Sequence, residues 1–152
     1  MKLTSYSNYS MRVLMVAAAR KGALSTVGEV AEAFGISTPH VVKCVHQLGK
    51  WGYLETVRGA KGGFRLAMPP ERIGVGEVIR KTEAGFDIVE CFNPATNTCP
   101  LIERCKLRKA LRRATDAFLA ALDELTVADL TTNGAHLLDA LSFDRPKDCR
   151  AA

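Results

Sequence analysis

Apolar residues recur with helical spacing through the first fifty positions of the chain. Met11, Leu14, Met15 and Ala18 follow one another at steps of 3, 1 and 3, which predicts a helix from about Asn8 to Lys21, ended by Gly22. Thr26 and Glu29 form a capping box, in which the hydroxyl takes an orphan N–H and the carboxylate reaches back to the cap. That box opens a short helix with Val30, Ala31 and Phe34 on one face, closed by Gly35. Thr38 as N-cap and Pro39 as first helical residue then predict a third helix to about Trp51, with Val41, Val42, Val45 and Leu48 inside. Tyr53 to Val57 reads as a strand, Arg58 to Gly63 as a turn, and Phe64 to Leu66 as the returning strand.

The pattern changes at Met68, Pro69 and Pro70. A short helix is predicted from about Val75 to Thr82, and a loop without periodicity from Gly85 to Cys105. Leu107, Leu111, Ala114, Phe118, Leu122 and Leu125 recur at 4, 3, 4, 4 and 3, predicting a helix from Lys106 to Leu125. Its stripe is narrow and long enough to pair with another helix. Thr126 begins a further short helix. The chain therefore divides into 1–68, a linking helix and loop over 69–105, and C-terminal helices over 106–142. The polar segment 143–152 is expected to be disordered. The predicted fold class is mostly α with a small β wing: a winged helix-turn-helix followed by a long helix suited to pairing.

Charge sharpens that reading. The 152 residues carry a net +5, but residues 1–68 hold nine Lys/Arg against three Asp/Glu, a net of +6. The remainder is close to neutral. A basic half built on two short helices suits double-stranded DNA, with the second helix in the major groove and its N-terminal residues on base edges. Thr38, His40 and Lys43 are the candidates there, with His46 and Gln47 further along. The hairpin behind them would act as a wing, offering Arg58, Lys61 and Arg65 to phosphates or a narrow minor groove. Cys44, set among Val41, Val45 and Leu48, reads as a buried small hydrophobe.

Cys91, Cys99 and Cys105 stand at intervals of eight and six within the predicted loop. Three soft thiolates on one segment can wrap a thiophilic metal centre. The close Cys pairs of structural zinc sites are absent, and wide spacing suits an iron–sulfur cluster; spacing does not fix its nuclearity, and the expectation is 4Fe-4S, with 2Fe-2S as the alternative. A redox disulfide with a spare thiol, or three incidental loop cysteines, remain alternatives on spacing alone. So do an electron carrier and a zinc-stabilised DNA binder. Arg104, Lys106, Arg108 and Lys109 would offset the negative charge of a cluster. Five cysteines in all, an odd count, exclude complete disulfide pairing. No apolar run approaches the roughly 18 residues of a membrane span, and the first ten residues are polar where a signal peptide is apolar. These features predict a soluble cytoplasmic protein with reduced thiols and no membrane partner. No phosphate-binding glycine loop and no nucleophile–base set is evident, so no catalytic residue is assigned and an enzyme is not expected.

The segment Met1 to Tyr9, the stretch His40 to Leu48, the wing Val57 to Gly63 and the run Glu90 to Leu101 continuing to Cys105 together resemble one family. It is the bacterial winged-helix regulators that carry an iron–sulfur cluster. Asn97 to Pro100 and Leu119 to Thr126 look most like its nitric-oxide-sensing repressors, with iron-responsive and cluster-assembly regulators as relatives. The resemblance implies a homodimer held by the long helix after Cys105, its expected dimerisation helix, and a cluster on Cys91, Cys99 and Cys105. It also implies repression of nitric oxide detoxification genes, relieved when nitric oxide damages the cluster. Cluster-assembly members place a histidine three residues after the last cysteine, where this chain has Arg108. Some nitric-oxide-sensing members supply an aspartate from the first helix of the partner; the matching fourth ligand here would be Asn8 of the partner subunit. Arg12, one turn on, either links that helix to the cluster region or is a surface arginine.

Overall fold

The computed structural model describes residues 2–141, so the C-terminal segment, with Cys149, lies outside the described residues. The chain forms α1 (Ser5–Ala19), α2 (Val27–Phe34), α3 (Thr38–Lys50), β1 (Leu54–Val57) and β2 (Gly63–Leu66). A 3-10 turn over Pro70–Arg72 leads to α4 (Val75–Thr82). A second, over Glu90–Phe92, lies in the long loop before α5 (Lys106–Asp123), α6 (Val127–Leu130) and α7 (Gly134–Ala140). This is the expected class, mostly helical with one two-stranded antiparallel sheet.

Local chemistry accounts for the boundaries. Helix α1 starts three residues before the periodicity suggested, because Thr4 caps it by accepting the Ser7 N–H at 3.2 Å. The capping box on α2 is complete: Glu29 N–H donates to the Thr26 hydroxyl, and Thr26 N–H to the Glu29 carboxylate. Gly35 ends α2 at φ 61°, in the left-handed region that a side chain disfavours. Ser37, not Thr38, is the N-cap of α3, which moves Pro39 one position into the first turn. Proline is tolerated there because first-turn N–H groups have no intrahelical partner. The Val42 expectation is corrected as well. Val41, Cys44, Val45 and Leu48 form the buried face of α3, and Val42 sits on the opposite side, 49% exposed.

One apolar core runs from Met11 to Val127 and joins both parts of the chain. Helix α1 lies at its centre, packed against α3, β2, α4, α6 and α7. The wing is fastened back to the α1–α2 connection by a bridge in which Ser25 and Phe64 exchange N–H···O bonds of 2.9 and 2.8 Å. A Cβ on Gly63 would stand 2.4 Å from the Ser25 carbonyl oxygen, so this close approach needs glycine. On α5 only Thr115 is fully buried, and Leu107 is 66% exposed. Leu122 reaches the core and Leu111 is half-buried, whereas Leu107, at the N-terminal end of the apolar stripe, is left uncovered by the described residues.

Candidate nucleic-acid interface and cysteine loop

Helices α2 and α3, joined through Gly35, Ile36 and Ser37, make the helix-turn-helix. Ile36 is buried and pins the turn. The burial pattern of α3 turns Thr38, His40, Lys43 and His46 to solvent, with Gln47 half-buried. The Ser37 hydroxyl lies 2.9 Å from His40 Nδ1 and fixes that ring at the start of the helix. Two tyrosines of α1 frame the same end. The Lys43 ammonium sits 5.3 Å from the Tyr6 ring centroid, and the His40 ring 6.0 Å from that of Tyr9. Tyr6 and Tyr9 were not singled out from the sequence, although their spacing of three places them on one face of α1. Arg12 does not point to a free surface: it stacks on Tyr9 and Phe34, at 5.9 and 5.1 Å, and ties α1 to α2. Burial pushes the Cys44 thiol above its ordinary pKa, with opposing contributions from Ser10 and Lys43, as suits a core residue.

The wing separates its three cations. Arg58 and Lys61 are exposed at the tip. Arg65 instead faces Glu55 across the ladder and donates to its carboxylate from Nη2 at 3.1 Å and Nε at 3.3 Å. Its charge is therefore partly neutralised, in a pair that both partners expose to solvent.

The three loop cysteines are free thiols, each partly exposed. Cys91 is the middle residue of the Glu90–Phe92 turn. Cys105 is the N-cap of α5, its Sγ accepting the Arg108 N–H at 3.3 Å. Arg108 also donates from Nε to the Cys91 carbonyl at 3.1 Å. One turn further along α5, the Arg112 guanidinium stacks 3.8 Å from the centroid of the buried Phe92 ring. Glu90 Oε1 accepts both the N–H and the hydroxyl of Thr98, at 2.7 and 2.8 Å. Hydrogen bonds from the Thr98 hydroxyl and N–H hold the Glu90 carboxyl below its ordinary pKa. The Cys99 N–H donates to Asn97 Oδ1 at 3.1 Å. The donor set, three accessible sulfurs on one loop with a helix N-terminus behind one of them, fits a soft metal centre. The three sulfurs share a loop but not a point: among the described residues no three His, Cys, Asp or Glu side chains converge to hold a metal ion. Asn8 is exposed on α1.

A second fastening joins the loop to α1. The Glu83 carboxylate, where α4 ends and the loop begins, accepts the N–H and hydroxyl of Thr4, at 2.7 and 3.0 Å, and the Ser7 hydroxyl. Partial burial pushes its pKa up, but the Ser7 and Thr4 hydrogen bonds outweigh this and hold it below the ordinary glutamate value.

A family model described as Rrf2, iron-dependent transcriptional regulator, matches residues 3–133. The HTH-type transcriptional regulator NsrR of Bacillus subtilis strain 168 is 47% identical over 144 residues, covering 94% of this chain and 99% of that protein. The NsrR of Shouchella clausii is 46% identical over 144 residues, covering 94% of this chain and 97% of that protein. Among solved structures, IscR of T. potens superposes with a TM-score of 0.69 at 25% identity, covering 88% of each chain. CymR, the global cysteine regulator of B. subtilis, superposes with a TM-score of 0.69 at 24% identity, over 88% of this chain and 98% of that one, and bears on the fold alone. These relatives are named as regulators of transcription rather than enzymes, and no helix among the described residues is long and apolar enough to cross a membrane. The chain belongs to the Rrf2 family of iron-dependent transcriptional regulators.

Proposed function

We propose that this regulator binds operator DNA as a homodimer and represses transcription while an iron–sulfur cluster occupies its cysteine loop. We propose further that nitric oxide is the signal that releases it. The observation carrying this reading is the loop itself: three free, accessible cysteines, built onto the N-terminus of α5 and tied to α1 of the DNA-binding half. Thr38, His40 and Lys43 would meet base edges and Arg58, Lys61 and Arg65 the phosphates. Cys91, Cys99 and Cys105 would hold the cluster, with Asn8 of the partner subunit as the candidate fourth ligand. When bound, such a cluster supplies iron atoms open to small ligands, nitric oxide among them.

The chain's own contacts supply the coupling. Glu83 at the head of the loop grips Thr4 and Ser7, and α1 packs along α3. Order in the loop thereby bears on the placement of α3, and a dimer must hold its two recognition helices about 34 Å apart to read successive major grooves. A mobility-shift titration of the full chain, loaded under nitrogen or cluster-free, tests the reading. Tight operator binding is expected only for the loaded form, and a nitric oxide donor should abolish it. Equal affinity of both forms sinks the switch. Iron-responsive members of the resembled family also tend to carry an asparagine at the position of Asn8, which supports a second reading in which iron supply is the signal. Release by an iron chelator, with indifference to nitric oxide, would select it.

A further inference from the structure

The segment Glu90–Phe92 is held from three directions, none of them through the sulfur of Cys91. Arg108 Nε binds the Cys91 carbonyl, and the backbone N–H of the same arginine binds Cys105 Sγ. Glu90 clips Thr98, the residue immediately before Cys99. Arg112 covers the buried ring of Phe92. Cys91 is thus the fixed point of the loop, joined to Cys105 by one link and to the neighbour of Cys99 by another. We infer that Arg108 and Glu90 are positioning residues that pre-arrange the three thiols around Cys91 before any metal arrives. The inference rests on the reading that these cysteines hold a metal centre.

The physical case is one of loop entropy. Three ligands spread over fifteen residues must be gathered at one point, and each residue left unrestrained adds to the cost. A link across the 91–105 span and another across 90–98 shorten what remains free. Non-ligand groups that hold metal ligands in place commonly account for ten- to a hundredfold in metal affinity. The three sulfurs do not converge on one point among the described residues, so the links restrict the search without completing the site.

The test is an anaerobic titration of the cluster-free full chain with Co(II) alone, read by the sulfur-to-cobalt charge-transfer band. Arg108→Ala keeps the backbone N–H on Cys105 and removes only the link to Cys91; it should weaken Co(II) binding about tenfold or more. Glu90→Ala should do the same, and Glu90→Gln, which keeps the acceptor oxygen for Thr98, should restore most of the loss. Arg113→Ala removes an exposed charge further along α5, to which no part in the loop is assigned, and should stay within about twofold of the parent. Thermal unfolding of each variant reports whether the fold is intact. Folded Arg108→Ala and Glu90→Ala chains that bind Co(II) as tightly as the parent overturn the inference. So does an Arg113→Ala loss equal to that of Arg108→Ala, which would make the effect one of charge. A parent chain showing no thiolate band overturns the metal reading and the inference with it.

Discussion

Lys61 and Arg65 are four positions apart in one basic hairpin, and their surroundings differ. Lys61 stands at the exposed tip, whereas Arg65 is forked onto Glu55. A lysine that meets only phosphate contributes counterion release and no sequence reading. Lys61→Ala should therefore weaken operator and random DNA equally and lower the slope of log affinity against log salt by about one. Arg65→Ala should lose less, because part of its charge already serves an exposed ion pair worth about 0.2–1 kcal/mol. Thr38→Ala should leave the salt slope unchanged and cost about 1–3 kcal/mol on the operator alone, if its hydroxyl meets a base edge. Anisotropy titrations at several salt concentrations separate the three. Sequence periodicity was enough to place Cys44 in the core, since its neighbours at 3, 1 and 4 residues are apolar. It was not enough for Val42, which adjoins the Val41–Val45–Leu48 stripe in sequence yet turns to solvent, or for the Arg65–Glu55 pair, which depends on the exact cross-strand register of the hairpin.

At the scale of elements, the devices legible in sequence are those closed within a few residues: the Thr26–Glu29 box, the Gly35 stop, and the α4 boundaries at Val75 and Thr82. The fastening of the cysteine loop to α1 joins Thr4 to Glu83 across 79 positions, and no local pattern announces it. It has a consequence for pH. The folded chain holds the Glu83 carboxyl below its ordinary pKa, so the unfolded chain binds the proton more readily. This contribution to stability is complete above the ordinary glutamate range and is lost as pH falls through that range to the lower folded value. Glu83→Gln keeps the shape and an acceptor oxygen, but its bonds from Thr4 and Ser7 lose the charge of the carboxylate. Urea midpoints measured from neutral pH downwards should show the parent losing its advantage over Glu83→Gln across that window; a gap that stays constant with pH would remove the carboxylate from the account. The same substitution should narrow the difference in operator affinity between loaded and cluster-free protein, because it loosens the loop from α1.

The whole molecule divides its work by charge and by cover. The basic excess lies in residues 1–68, and the nearly neutral remainder carries a helix whose apolar stripe is only partly used among the described residues. Core residues from both halves interlock, so the stripe of α5 is not left over from poor packing. In the proposed homodimer the exposed stripe positions Leu107 and Ala114 are where a second copy would pair, and pairing would set the distance between the two recognition helices. Ala114 is the position to test. It is exposed in the single chain, so a charge there leaves the monomer fold intact, but in a helix–helix seam the same charge is stripped of water. Ala114→Glu should shift sedimentation equilibrium toward monomer, with circular dichroism unchanged. Two half-sites engaged together gain at least about a hundredfold over one. Operator affinity should fall by that order in Ala114→Glu, while affinity for random DNA, which needs only the basic half, falls far less. An Ala114→Glu chain that remains dimeric would move the seam off this face of α5. One that becomes monomeric yet binds the operator undiminished would show that α3 and the wing of one chain suffice.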